Sequence, residues 1–268
     1  MSKIVILGST GMLGSAVSKF FINSTNHEVV VSYRNKNVVQ HENNFYFDVL
    51  ETDLNEIPDC DYILNCIGII KPFMKNNKLN SVLINSVFPH RLSSFCEKNN
   101  IKVIHITTDC VFSGKMGAYD EESLHDCEDD YGKTKSLGEP DNCMVLRTSI
   151  IGEEVHKNAS LIEWVKSNKG GTINGFTEHI WNGVTTKQYA DICNQIISNK
   201  LYKNGIFHVH SNDVNKFDLL NTINNKFNLN IKINAVKTAK VDRTLRTKKE
   251  LLKNIQMKSV YDQIMDLD

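Results

Sequence analysis

Short apolar runs recur along the first half of the chain, separated by stretches where apolar residues return every three or four positions. The runs are Ile4–Leu7, Val29–Ser32, Phe45–Phe47, Tyr62–Cys66, Val103–Thr107 and Met144–Leu146. Unbroken Val/Ile/Leu runs, unlike alternating ones, suit strands covered on both faces. Between them, Gly11–Phe21 reads as a helix. A long helix is predicted over about Leu79–Lys98, amphipathic through Val82, Ile84, Val87, Leu92 and Phe95. Strands alternating with helices imply the α/β class, built as a doubly wound parallel sheet.

The pattern changes after Ile151, where polar loops and short elements dominate, as at Lys169-Gly170-Gly171 and Asn174-Gly175. A helix over about Thr186–Ser198 and a strand over about Ile206–Val209 are expected to return to the sheet. The basic stretch Lys240–Lys253 looks helical toward its end. The expected organisation is a sheet domain of residues 1–150 plus about 184–210. A smaller C-terminal substrate lobe takes residues 151–183 and 211–268.

Composition narrows the class. The 268 residues are 41% hydrophobic and 23% charged, with a formal net charge of zero. No global field therefore draws nucleic acid or a membrane surface. Seven cysteines include no C-x-x-C pair, so neither a zinc site nor a disulfide framework is expected. With no signal-like start and no apolar run near membrane-spanning length, a cytoplasmic protein is expected.

Gly8-Ser9-Thr10-Gly11-Met12-Leu13-Gly14 follows the first strand and opens the first helix. In that setting Gly8 permits the turn, Gly11 lets the backbone approach a pyrophosphate, and Gly14 lets the helix pack on the sheet. The helix N-terminus then faces the phosphates, as in Rossmann folds. Thr10, Met12 and Leu13 complete the cofactor-facing turn. The second strand ends Ser32-Tyr33-Arg34. An acid there would bind the ribose hydroxyls of NAD, whereas a guanidinium suits the 2′-phosphate of NADP(H). NADP(H) is therefore the expected cofactor. Asp48 is placed to touch the adenine or to cap a turn.

Tyr131-Gly132-Lys133-Thr134-Lys135 is a Y-x-x-x-K motif between the fifth and sixth strands. On a helix its phenol and ammonium share a face. A neighbouring ammonium is expected to lower the phenol's pKa, so that Tyr131 exchanges a proton with a carbonyl oxygen. Thr108, at the end of the fifth strand, is placed to hydrogen-bond the same oxygen or to cap the backbone.

These segments resemble the extended short-chain dehydrogenase/reductases, and within them the dTDP-4-dehydrorhamnose reductase group. The resemblance is carried by Gly8–Gly14, Asn65-Cys66-Ile67-Gly68, Leu83-Ile84-Asn85-Ser86, Thr107–Gly114, Tyr131–Lys135 with Leu137-Gly138-Glu139, and Leu146-Arg147-Thr148-Ser149. It extends through Asn182-Gly183-Val184-Thr185 to Asp242-Arg243-Thr244-Leu245. It implies catalysis by Thr108, Tyr131 and Lys135. It also implies a loop along the cofactor at Cys66, Ile67 and Gly68, and support from Asn85. The implied reaction is NADPH-dependent reduction of the C4 ketone of a nucleotide-diphospho-4-keto-6-deoxy sugar, in deoxysugar or glycan biosynthesis. Substrate contacts are expected at Thr108, Asp109, Trp181, Asn182 and Arg243. Arg243 would serve the pyrophosphate, and Trp181 would stack on the substrate or fill the lobe's core.

Three departures stand out: Cys66-Ile67 for small residues, Cys110 for an aromatic, and His179-Ile180-Trp181 in the lobe. A 4,6-dehydratase would need a second acid where Cys110 stands, and a 4-epimerase an acid near Arg34. An NADP-binding regulatory subunit is a further reading, and a homodimer is left open. The cluster Lys237, Lys240, Arg243, Arg246, Lys248, Lys249 and Lys253 is read as a solvated face, with nucleic acid as the alternative. His208 and His210 share a strand face but lack a third ligand, so no metal is expected.

Overall fold

The computed structural model describes residues 1–35, 41–75, 77–154 and 160–268. Among them the chain runs β1 (Lys3–Leu7), α1 (Met12–Ser24), β2 (Glu28–Tyr33), β3 (Asn44–Tyr46), β4 (Tyr62–Asn65), α2 (Lys78–Val82), α3 (Phe88–Lys98), β5 (Lys102–Thr108), α4 (Asp130–Ser136) and β6 (Met144–Thr148). It continues through β7 (Ile150–Ile151), α5 (Leu161–Ser167), β8 (Thr172–Phe176), β9 (His179–Trp181), β10 (Val184–Thr185), α6 (Thr186–Ser198) and β11 (Gly205–His208). It ends with β12 (Val214–Asn215), α7 (Lys216–Lys226), β13 (Lys232–Val236), β14 (Val241–Asp242) and α8 (Val260–Met265).

A seven-stranded sheet forms in the order β11-β6-β5-β4-β1-β2-β3, and every pairing in it is parallel. The expected doubly wound sheet is present. β1, β4 and most of β2 are buried along their length because both faces of the sheet are covered there. Ile4, Ile6 and Leu64 pack under Val17, Phe21, Ile192 and Ile196 of α1 and α6. Val5, Leu7, Ile63 and Val103 pack under Phe88, Leu92 and Cys96 of α3. The chain winds outward in opposite directions from β1 and β4. β1 and β4 stay paired to their last residues, Leu7 and Asn65, and the connections that follow them lead to opposite sides of the sheet order, which is where a ligand crevice belongs.

The long helix expected over Leu79–Lys98 is interrupted. Leu83–Val87 forms a π-turn between α2 and α3. Its wider turn shifts the helical phase. Val87, placed inward by simple periodicity, is 41% exposed, while Asn85 is fully buried.

Beyond β6, the two-stranded sheet β8·β13 and the three-stranded sheet β12·β9·β14 pack with α5, α7 and α8. They enclose Ile162, Val165, Trp181, Leu219, Ile223 and Ile264. This region is richer in regular structure than its polar sequence suggests. At the end of the basic stretch, Glu250–Asn254 makes one short 3-10 helix.

Candidate active site

A cleft of about 800 Å³ opens along the carboxyl edge of the sheet. One end is the glycine turn. Gly8 has φ +81°, a conformation that favours glycine. A Cβ on Gly14 would lie 2.0 Å from the Gly8 carbonyl oxygen, so a side chain there would push α1 off the turn. The Gly11 N-cap provides no side-chain cap for α1. The first amides of that helix therefore keep no protein partner of the kind a capping residue supplies. Gly8, Thr10, Gly11, Met12 and Leu13 line the cleft, while Gly14 sits behind it. Ser32, not singled out from sequence, lines it too, and its Oγ accepts from Gly8 N at 2.9 Å.

Arg34 and Asp48 stand at the rim, with Nη1 and Oδ2 3.9 Å apart. The guanidinium is 66% exposed and free to turn toward a ligand. Asp48 also caps its own turn by accepting from Leu50 N at 2.9 Å. Cys66, Ile67 and Gly68 form the opposite wall. Their loop is pinned twice. Asn65 Oδ1 accepts from Ile67 N at 3.2 Å. Asn85 Oδ1 accepts from Ile69 N at 2.8 Å, and its Nδ2 donates to Ile69 O at 2.9 Å and Thr134 Oγ1 at 3.2 Å. Asn85 therefore ties the loop after β4 to α4, without lining the cleft itself.

Thr108, Asp109, Cys110, Tyr131 and Lys135 meet at the other end. Asp129 caps α4 by accepting from Gly132 N at 2.9 Å. A Cβ on Gly132 would lie 2.3 Å from Cys110 O, so glycine lets the helix close on the Thr108 loop. Lys135 Nζ donates to Ile106 O at 3.0 Å. Burial pushes its ammonium down to about 8, with Glu139 opposing. Thr108 Oγ1 accepts from Cys110 N at 3.1 Å and donates to Asp109 Oδ1 at 3.1 Å. It is thus both a backbone cap and a cleft hydroxyl.

Tyr131 differs from expectation. Burial pushes its phenol above the ordinary value, Cys110 adds to this, and the nearby Thr108 hydroxyl opposes it. Desolvation outweighs any help from the neighbouring ammonium. Asp109 is also pushed up by burial, with Arg243 opposing.

A buried clamp behind α4 holds this geometry. Arg147 Nε and Nη2 bond Glu139 Oε1 and Oε2 at 3.1 and 2.6 Å. Their side chains are 1% and 2% exposed. Arg147 Nη1 lies 2.6 Å from His208 Nε2. Burial, then Arg147, pushes His208 down to about 4. The ring is neutral at pH 7. Its Nδ1 faces Arg246 O at 2.8 Å, so Nδ1 carries the hydrogen and Nε2 accepts from Arg147. His208 is a core residue. Among the described residues no group of His, Cys, Asp and Glu is arranged to hold a metal.

Three expected substrate contacts lie outside the cleft lining. Trp181 is buried in the lobe's core. Asn182 accepts from Leu245 N at 3.0 Å and donates to Leu245 O at 2.9 Å. It thus braces the segment that carries Arg243. Arg243 Nε donates to Phe112 O at 2.9 Å, and its charge reaches Asp109.

The family model described as RmlD substrate binding domain matches residues 2–265. A probable low-salt glycan biosynthesis reductase of Haloferax volcanii is 25% identical over 224 residues, covering 77% of this chain and 73% of that protein. Methionine adenosyltransferase 2 subunit beta of Bos taurus is 26% identical over 250 residues, covering 85% of this chain and 72% of that one. Among solved structures, a dTDP-4-dehydrorhamnose reductase of Bacillus anthracis in complex with NADP superposes with a TM-score of 0.75. It is 18% identical and covers 99% of this chain and 98% of its own.

Proposed function

The chain belongs to the RmlD substrate binding domain family, and on that premise we propose that it is an NADPH-dependent reductase of the C4 ketone of a nucleotide-diphospho-4-keto-6-deoxy sugar. One observation carries the reading: Thr108, Tyr131 and Lys135 line one end of a cleft whose other end is the Gly8–Gly11 turn.

The cofactor fits the residues present. The tight Gly8 turn and the uncapped start of α1 suit a pyrophosphate. Arg34 suits the 2′-phosphate, and Asp48 flanks the adenine. Cys66, Ile67 and Gly68 run along the cofactor, and Asn85 holds them in place. Bound NADPH supplies the hydride. Tyr131 donates its phenolic proton to the carbonyl oxygen. Its raised pKa keeps that proton on through neutral pH, and the developing alkoxide is basic enough to take it. Thr108 turns its hydroxyl from Asp109 to the same oxygen. Lys135 holds its ammonium beside the phenol, near the pH at which it can return a proton. Residues 151–183 and 211–268 form the substrate lobe against the sheet domain of residues 1–150 and about 184–210. Arg243 serves the substrate pyrophosphate, Asp109 a sugar hydroxyl, and Asn182 and Trp181 act from behind by fixing the lobe.

The test is NADPH oxidation against dTDP- and UDP-linked 4-keto-6-deoxy sugars. Wild type is expected to turn over. Tyr131→Phe is expected to lose about 10²–10⁴-fold in kcat with NADPH affinity unchanged. Full activity in Tyr131→Phe overturns the catalytic assignment.

The similarity to a methionine adenosyltransferase subunit favours a second reading, an NADP-binding regulatory subunit. Tight NADPH binding with no turnover on any sugar of the panel supports it.

A further inference from the structure

We propose that Ile70 and Phe73 form a wall that receives the substrate's sugar beside Tyr131, and that Lys71 is the positioning residue of that wall; the inference rests on the reductase reading above. Ile69, Ile70 and Phe73 line the cleft directly after Cys66, Ile67 and Gly68, the stretch assigned to the cofactor. Lys71–Phe73 is a short 3-10 helix. It is closed by Phe73 N donating to Ile70 O at 2.9 Å and Met74 N donating to Lys71 O at 3.2 Å. Met74 is buried and anchors the turn.

Contacts on either side of Tyr131 hold this segment along α4. After Tyr131, Thr134 Oγ1 accepts from Asn85, whose Oδ1 accepts from Ile69 N. Before Tyr131, Asp129 Oδ2 lies 2.9 Å from Lys71 Nζ. Lys78 Nζ repeats the tie at 3.1 Å from Asp130 Oδ2. Asp129 also caps α4 through Gly132 N. The Lys71 ion pair therefore joins the wall to the cap of the helix that carries the phenol.

Ile70 and Phe73 are 40% and 42% exposed. Large apolar side chains left open on the lining of a cleft favour a ligand that covers them with apolar surface. A 4-keto-6-deoxy sugar offers such a surface, because a methyl group and a carbonyl stand where a hexose carries hydroxyls at C6 and C4. With the ketone at Thr108 and Tyr131, the ring atoms next to C4 lie beside Tyr131 and so against this wall. The Lys71–Asp129 pair is about half exposed, so its strength is modest and falls with salt. It sets where the wall stands and does not hold the fold together.

The test is steady-state NADPH oxidation with the best 4-keto-6-deoxy sugar nucleotide of the panel, for wild type, Phe73→Ala, Lys71→Met, Lys71→Arg and Asp129→Asn. NADPH affinity is measured alongside by fluorescence titration. Phe73→Ala is expected to raise KM for the sugar nucleotide about tenfold, with kcat within about twofold and NADPH affinity unchanged. Lys71→Met is expected to raise that KM about three- to fivefold, and Lys71→Arg to restore it. Asparagine keeps the α4 cap and breaks the ion pair, so Asp129→Asn should raise KM as Lys71→Met does. A wild-type KM in Phe73→Ala, or an equal loss for NADPH, overturns the wall and leaves the reductase reading standing. A wild-type KM in Lys71→Met overturns the positioning role. So does a wild-type KM in Asp129→Asn, which would make Lys71 a direct partner of the substrate's charge. Wild type that oxidises no NADPH with any sugar of the panel overturns the reductase reading, and the inference with it.

Discussion

Lys135 illustrates how one enclosed charge ties activity and stability to pH with opposite signs. Its ammonium titrates near 8, because burial disfavours the charged form. An exposed lysine titrates at about 10.4. If the ammonium is the working form, kcat/KM falls as pH rises through about 8. Lys135→Arg keeps its charge and should show a lower but flatter profile; a wild-type rate that stays level well above that pH rejects the role. Stability runs the other way. Between about pH 8 and 10.4 the unfolded chain binds this proton better than the folded one, so the residue's contribution rises with pH there and is lost below about 8. Arg34 gives a second residue-level test. Its exposed guanidinium, 3.9 Å from Asp48, is free to rotate onto a 2′-phosphate. Arg34→Ala should weaken NADPH about tenfold and leave NADH unchanged in fluorescence titrations, because only one of the two carries that phosphate.

At the scale of elements, the position of α4 depends on what lies behind it. Glu139, just past the helix, and Arg147 on β6 form a bidentate pair with almost no exposure. Removing one partner leaves the other buried and unpaired. Glu139→Gln should cost about 3–5 kcal/mol in urea denaturation, and replacing both residues by apolar ones should cost less than the single change. The sequence already pointed to this segment, since Leu137-Gly138-Glu139 and Leu146-Arg147 supported the family resemblance, but it did not reveal the contact between them. The sheet strands were legible because a strand covered on both faces has no polar face to mask it. The glycine turn was legible because one spacing meets several steric demands at once. The π-turn at Leu83–Val87 was not, because nothing in its apolar content departs from a regular helix; the burial of Asn85 is what reveals it. Ser32 was missed for a similar reason: an internal strand serine looks like packing until its bond to Gly8 N is seen. Tyr131's shift was misjudged because a motif shows the neighbouring charge and hides the desolvation. In the lobe, α7 and the β8·β13 pair were hidden by Asn and Lys on their outer faces.

At the scale of the whole molecule, the chain crosses between the two cores more than once, and this bears on how it unfolds. β10 and α6 leave the lobe for the sheet domain, β11 pairs with β6, and the chain then returns to β12 and α7. The basic C-terminal stretch runs along that junction with its charges spent on neighbours: Lys240 on Asp242, Arg246 on Asp213, Lys248 on Asp120 and Glu122. This is why a run that resembles a nucleic-acid patch presents little free positive charge. Tyr119 joins the two parts again, accepting from Arg246 N at 2.7 Å and donating its own N–H to Thr244 O at 2.9 Å. Loss of either core therefore removes partners from the other, and the two should unfold together. The two tryptophans, Trp164 and Trp181, both belong to the lobe region. Tryptophan fluorescence consequently reports the lobe, while far-ultraviolet circular dichroism reports the whole chain. Their urea midpoints are expected to coincide. NADPH, bound at the glycine turn on the sheet domain, should raise both midpoints equally, by an amount that grows with the logarithm of its concentration above Kd. A fluorescence midpoint that stays fixed while the dichroism midpoint rises would mean that the lobe unfolds independently, and that the cleft between the two parts is joined less tightly than these contacts require.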